Sequence, residues 1–226
     1  MWKKRKEMPA LLKLNLKFDI NKLKKAIKEI EHKDWNACIG GAYTDLRRAH
    51  GNKLAEIAYQ KDNKDINMND DWRKYSYQQL ALTEFDPNYE IKKNRNSGTR
   101  WDRSYMGGEK KYDERAYRKP IPDLPEYLQY VFKTFGEDLT RVNLAKLMPK
   151  DRVAPHIDYD LTFSTRYHIA IETNPEALLC DEHIPADGYV WFVNTGLMHS
   201  AFNGGKKPRT HLILMTDSQK VLNEYS

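Results

Sequence analysis

Pro155-His156-Ile157-Asp158 is the stretch on which the reading of this chain turns. Side chains alternate along an extended strand, so residues two apart share a face. His156 and Asp158 would therefore present an imidazole and a carboxylate to the same side, where both can grip one metal ion. The spacing alone has little weight. Seven histidines and 32 acidic residues among 226 positions give about one His-x-acid pair by chance. The chain holds such a decoy, His32-Lys33-Asp34, at the charged end of a helical stretch. Three surroundings separate His156 and Asp158 from the decoy. They lie in an apolar-rich strand over 153–159, a second histidine, His199, opens a later strand, and Arg209 follows a Gly204-Gly205 turn.

Outward from this stretch, residues 136–226 read as short strands and turns. Strands are predicted over 141–148, 153–159, 163–171, 189–194, 199–203 and 209–216, with Asp187-Gly188 as one of the turns. Six short strands with almost no helix between them suit a barrel or sandwich. Within them, Arg166 and His168 share one face of their strand, away from Tyr167, Ile169 and Ile171. Polar groups on one face opposite an apolar face suggest a polar cavity, the alternative being a solvent-facing side. His211 shares a face with Arg209 and reads as a cavity-wall or interior histidine. His183, beside Asp181 and Glu182, reads as surface, and His50 has no evident partner. Asn194 and Asn203 suit either the surroundings of a ligand set or a turn.

The first half has a different character. Leu12, Leu14, Leu16 and Phe18 alternate with polar residues, which predicts a half-buried strand over 10–18. Asp19 then caps a helix over about 20–32, whose Ile20, Leu23, Ala26, Ile27 and Ile30 form one apolar stripe for packing on a sheet. Strands are weakly indicated at 42–46 and 77–85, a strand or short helix at 54–59, and the Asn- and Asp-rich 62–73 reads as loop. Residues 92–119 carry 10 Lys and Arg against 4 Asp and Glu, with Trp101, Tyr105, Tyr112 and Tyr117 interleaved. A loop of that length is either functional or a mobile excursion. A helix follows over 124–135, with Leu128, Val131, Phe132 and Phe135 on one side and Gly136 as its stop.

Charge is uneven: residues 1–119 hold 28 basic against 18 acidic side chains, and residues 120–226 hold 10 against 14. Without a nucleic-acid motif, the basic half reads as a solvated surface rather than a nucleic-acid-binding face. No run of about 18 apolar residues exists to span a membrane. Lys13 and Lys17 interrupt the apolar stretch after the basic start, which makes a poor signal peptide. Cys38 and Cys180 are far apart without metal-binding spacing, as expected of a reduced cytoplasmic protein.

The constellation has a chemical logic. Two imidazoles and one carboxylate on one octahedral face suit Fe(II) and leave three positions open for a chelating co-substrate and O2. A dicarboxylate that chelates the metal at one end needs a buried cation at the other. Arginine's planar fork matches a carboxylate with two hydrogen bonds, so Arg209 is the candidate, although a hairpin-end arginine is also common.

These segments, Val153–Asp158, Arg166-Tyr167-His168, His199–Asn203 and Arg209–Ile213, resemble the aspartyl/asparaginyl β-hydroxylase family, which also includes cis-acting proline hydroxylases. The resemblance covers about 139–217. It implies a double-stranded β-helix, a cupin-like jelly roll, and an enzyme dependent on Fe(II), 2-oxoglutarate and O2. It implies His156, Asp158 and His199 as iron ligands, Arg209 for the distal carboxylate of 2-oxoglutarate, and Arg166 and His168 in the co-substrate pocket. A serine of some members is replaced by Ala145, which leaves the co-substrate's polar contacts incompletely assigned.

The expectation is a mainly β protein with helices (α+β). Residues 1–135 form an N-terminal α/β extension carrying the basic loop at 92–119, and residues 136–226 form the catalytic core, packed together as one structural domain. The expected activity is hydroxylation of an amino-acid side chain in a peptide or protein. A free amino acid as substrate, and a non-catalytic cupin-like binding module, are the alternatives.

Overall fold

Asp19 divides the first strand from the first helix. Strand β1 (Leu11–Lys17) precedes it and helix α1 (Ile20–Ile30) follows, with the Asp19 carboxylate accepting from the backbone N–H of Asn21 (2.9 Å) and Lys22 (3.1 Å). The expected stripe of Leu23, Ala26, Ile27 and Ile30 is buried. The computed structural model describes residues 5–33, 35–38, 77–89, 114–158 and 161–226. The strand expected at 42–46, the strand or short helix at 54–59, the loop at 62–73 and residues 92–113 of the basic stretch lie outside the described residues.

Next come β2 (Asn36–Cys38), β3 (Tyr77–Ala81), β4 (Thr83–Glu84), a 3-10 turn at Glu114–Ala116, β5 (Lys119–Pro120) and helix α2 (Glu126–Phe135). Helix α2 buries Leu128, Val131, Phe132 and Phe135 and stops at Gly136, whose φ of +74° suits a residue without a Cβ. The Gly136 N–H donates to the carbonyls of Phe132 and Lys133, both at 3.1 Å, closing the last turn.

Eight strands follow: β6 (Leu139–Leu147), β7 (Arg152–His156), β8 (Thr165–Glu172), β9 (Ala177–Leu179), β10 (Glu182–His183), β11 (Tyr189–Val193), β12 (His199–Asn203) and β13 (Arg209–Thr216), then helix α3 (Lys220–Tyr225). Their pairing defines the fold. One antiparallel sheet runs β11-β8-β13-β6, extended by β1 at one edge and by β3 and β2 at the other, and a second runs β10-β9-β12-β7. Counted from β6, the first, eighth, third and sixth strands share one sheet and the other four share the second. That is the order of a double-stranded β-helix, a jelly roll of two facing sheets.

Two expectations are corrected. The strand read over 153–159 ends at His156, so Asp158 is not on it. The Asp158 N–H donates to the Thr195 carbonyl at 2.8 Å, a loop-to-loop bond outside the ladder that pairs His156 with His199. The strand read from Phe163 begins at Thr165, because residues 161–163 form a turn. Strands β9 and β10, of three and two residues, are too short for any periodicity to show.

The larger sheet has two different faces. Its outer face presents Val142, Leu144, Tyr167, Ile169, Ile171, Val190, Phe192, Leu212 and Leu214 to a core shared with α1, α2 and α3. The face toward the second sheet carries a smaller apolar cluster, including Leu147, Ala170, Val193, Leu179 and Ala201. On the same strands and the same period, Arg166, His168, Arg209 and His211 also point inward. The apolar side opposite Arg166 and His168 is thus the helix-covered side.

Candidate metal centre

The end of β7 meets the start of β12. His156 and His199 are cross-strand partners with ring centroids 4.2 Å apart, and a bulge follows His199. Asp158, carried past the strand end, sets its carboxylate between them, with Oδ1 3.5 Å from His156 Nε2 and Oδ2 3.6 Å from His199 Nε2. The candidate ligand atoms of all three residues lie within 4.8 Å of one another. The donor chemistry fits a divalent metal. His199 Nδ1 donates to the Leu197 carbonyl at 3.0 Å, because a carbonyl only accepts, so Nε2 bears the lone pair that a metal needs. Burial opposes ionisation of Asp158, but Arg166 and the two histidines outweigh it and hold the carboxyl well below the usual range. A depressed carboxylate is the form that coordinates.

Arg166 enters this centre from β8. Its Nη1 donates to Asp158 Oδ2 at 2.5 Å, and its Nη2 lies 3.6 Å from Glu114 Oε2. Glu114 also accepts from Arg141 Nη1 at 2.6 Å, and Arg141 Nη2 donates to Gln79 Oε1 at 2.9 Å. Burial works against the Arg166 charge, yet Asp158 and Glu114 raise its pKa above the ordinary value. Arg166 Nε has no partner among the described residues.

The other cation is in a different situation. Arg209 is 4% exposed, and no carboxylate among the described residues pairs with it. Desolvation pushes its pKa down to about 10, with Tyr77 and Cys180 offsetting part of the effect. It remains a cation at neutral pH, buried without a counter-charge, which is costly unless an anion arrives. Its Nη2 lies 3.0 Å from His211 Nδ1, which is 3.2 Å from His168 Nδ1. Burial first, then neighbouring Arg209, keeps both histidines well below their usual pKa and therefore neutral. The charges of Arg209, Arg166 and His199 also lower the His168 pKa, against the opposing effect of Asp158.

The structure therefore brings His156, Asp158, His199 and Arg166 together at one end and Arg209, His168 and His211 together at the other. Sequence reasoning missed Glu114, Arg141 and Gln79. Their pairing joins segments far apart in the chain, and only the position of Glu114 inside the charged stretch at 92–119 pointed to it. Asn203 serves the turn before β13: its Nδ2 donates to Leu147 and Lys207 carbonyls, and its Oδ1 accepts from Asn174 and the Gly205 N–H. Asn194 Nδ2 donates to the Met8 carbonyl at 3.1 Å, tying the N-terminal segment to β11.

The chain belongs to the aspartyl/asparaginyl beta-hydroxylase family, whose model matches residues 51–218. An L-proline cis-4-hydroxylase of Rhizobium meliloti (strain 1021) is 32% identical over an alignment of 103 residues that covers 42% of this chain. The match spans only 35% of that curated relative's length. Two solved structures are also similar. A Pseudomonas putida prolyl-4-hydroxylase is 13% identical with a TM-score of 0.31, over 87% of this chain and 99% of that one. An oxidoreductase of the 2OG-Fe(II) oxygenase family from Burkholderia pseudomallei is 11% identical with a TM-score of 0.38, over 89% and 91%. The strand order, rather than these low superposition scores, defines the fold. Among the described residues no helix is long and apolar enough to cross a membrane.

Proposed function

We propose that this protein is an Fe(II)- and 2-oxoglutarate-dependent dioxygenase that hydroxylates an amino-acid side chain in a peptide or protein. One observation carries the reading. A His-Asp-His cluster of ligand geometry shares the interior of a double-stranded β-helix with a buried arginine that no described carboxylate neutralises. Residues His156, Asp158 and His199 would hold the metal, and Arg209 would take the distal carboxylate of 2-oxoglutarate. Arg166 and His168 would line the space between them, Arg166 also fixing Asp158. Bound there, Fe(II) supplies the chemistry that couples conversion of 2-oxoglutarate and O2 to succinate and CO2 with insertion of one oxygen atom into a C–H bond. The protein's part is to orient both ligands and keep competing water out.

The basic, aromatic composition of the stretch at 92–119 supports a peptide or protein substrate, since such a sequence suits an extended partner. We also propose that residues 1–135 form one wall of the substrate cleft, as the pairing of β1 with β11 and of β3 with β6 favours. The second reading, a free amino acid as substrate, is favoured by the relative whose name specifies L-proline. The wide separation of the two cysteines supports a cytoplasmic setting.

The test is anaerobic loading with Fe(II) and 2-oxoglutarate, then O2, with succinate and hydroxylated product measured by mass spectrometry against peptide and free amino-acid panels. Succinate formation coupled to a +16 Da product (about one oxygen atom) is expected. Metal binding with no 2-oxoglutarate consumption under any substrate would favour a non-catalytic binding module instead.

A further inference from the structure

The two carboxylate oxygens of Asp158 are not equivalent. Oδ2 accepts from Arg166 Nη1 at 2.5 Å, which leaves Oδ1, 3.5 Å from His156 Nε2, to face a metal. An oxygen engaged by a guanidinium is the poorer metal ligand, so the orientation of Arg166 decides which oxygen is offered. That orientation depends on Arg166 Nη2, which lies 3.6 Å from Glu114 Oε2 and 3.7 Å from Met215 Sδ. At 3.6 Å the Glu114 contact is an ion contact rather than a hydrogen bond. Glu114 Oε2 is buried and makes no hydrogen bond among the described residues, so its charge is what it brings to Arg166.

Glu114 is held in place from its other side. Its Oε1 accepts from Arg141 Nη1 at 2.6 Å, Arg141 Nη2 donates to Gln79 Oε1 at 2.9 Å, and Gln79 Nε2 donates to the Tyr77 hydroxyl at 2.8 Å. The 3-10 turn that carries it is anchored as well. Arg115 and Ala116 are buried, and the Arg115 guanidinium lies 4.0 Å from the ring centroid of buried Phe163, in the turn that precedes β8. A fixed negative charge thus reaches β8 from outside the eight strands of the jelly roll.

We propose, resting on the ligand set given above, that Glu114 is a positioning residue for the metal centre: its charge holds Arg166 on Asp158 Oδ2, so that Asp158 offers the metal a single oxygen. A carboxylate restricted to one oxygen leaves vacant the position that a two-oxygen mode would fill.

Glu114→Gln keeps the shape and the acceptor for Arg141 and removes the charge, whereas Glu114→Asp keeps the charge. The readouts are Co(II) affinity by calorimetry and the visible absorption of bound Co(II), which follows coordination geometry, with cooperative thermal unfolding as the check on folding. We expect Glu114→Gln to weaken Co(II) binding by about tenfold and shift the Co(II) bands, and Glu114→Asp to stay within about threefold of wild type. Because Glu114 acts through Arg166, adding Glu114→Gln to Arg166→Met should change the affinity by less than about twofold. Wild-type affinity and bands in Glu114→Gln, equal losses in Glu114→Asp and Glu114→Gln, or the same loss with and without Arg166, overturn the proposal. Wild-type protein that binds no Co(II) overturns the ligand set and the proposal with it. Protein that binds Co(II) but no 2-oxoglutarate overturns the functional reading alone, and the Glu114 variants still decide the proposal.

Discussion

The two faces of the larger sheet are made from the same strands and obey opposite rules. Along β8 and β13 the outward residues Tyr167, Ile169, Ile171, Leu212 and Leu214 are apolar and packed under the helices. The inward residues His168, Arg209 and His211 are polar and buried, and the polar Arg166 beside them is partly buried. Hydrophobic burial on one face stabilises the fold enough to tolerate buried polar groups on the other. Within the inner face a second contrast appears. Arg166 is matched by Asp158 and Glu114, whereas Arg209 has no matching acid among the described residues. On the proposed reading, the matched cation would hold the metal ligands in place and the unmatched one would receive an anion.

Substitutions can break this division in order of size. Removing a proposed metal ligand should be the most severe: Asp158→Ala is expected to lower metal affinity and turnover by more than about 100-fold, since outer partners of ligands alone contribute 10- to 100-fold. Metal titration with parallel activity assays checks it. On the outer face, Leu212→Ala should cost about 2–5 kcal/mol of stability in denaturant unfolding while leaving metal affinity of the folded protein unchanged. If Leu212→Ala instead altered metal binding while leaving stability intact, the separation of faces would be wrong.

The inner histidines give a pH signature for the metal-free protein. Their folded pKa values lie well below the ordinary 6.5. Above about pH 6.5 both folded and unfolded chains carry them neutral, and they add no pH dependence. Below it the unfolded chain binds protons that the folded chain refuses, so stability falls as pH falls toward the folded values. Each histidine adds a slope of up to about 1.4 kcal/mol per pH unit. Denaturation midpoints from pH 7 to 5 should show that loss, and His211→Gln should reduce the slope by about one proton. The smallest expected effect is at Gly136, where φ of +74° strains any other residue. Gly136→Ala should destabilise by about 1 kcal/mol without touching the site.

Much of this was legible from local pattern. The buried set on α2, Leu128, Val131, Phe132 and Phe135, follows from 3.6-residue spacing, and the polar face of Arg166 and His168 follows from alternation. Both are properties of neighbours in sequence. What resisted was non-local or very short. Strand β9 exists because β12 offers it an edge, and β10 because β9 does, and their five residues carry no period of their own. Asp158 was read onto a strand because spacing suggested it, whereas a bond to Thr195 across the loop places it. The partnership of Arg166 with Glu114 bridges segments that no short window contains. His211 was recognisable as an interior histidine.

The central claim is that the inner face is built for a metal-chelating dicarboxylate, with Arg209 as the waiting cation. Arg209→Met keeps the length and removes the charge. Calorimetric titration of 2-oxoglutarate into anaerobic Fe(II)-loaded wild type and Arg209→Met, alongside thermal unfolding of both metal-free proteins, tests it most directly. The account predicts a loss of about 100-fold in 2-oxoglutarate affinity together with a metal-free protein that is more stable by about 1–2 kcal/mol, because an uncompensated buried charge has been removed. Equal 2-oxoglutarate affinity in the two proteins, or no binding by wild type, would contradict it.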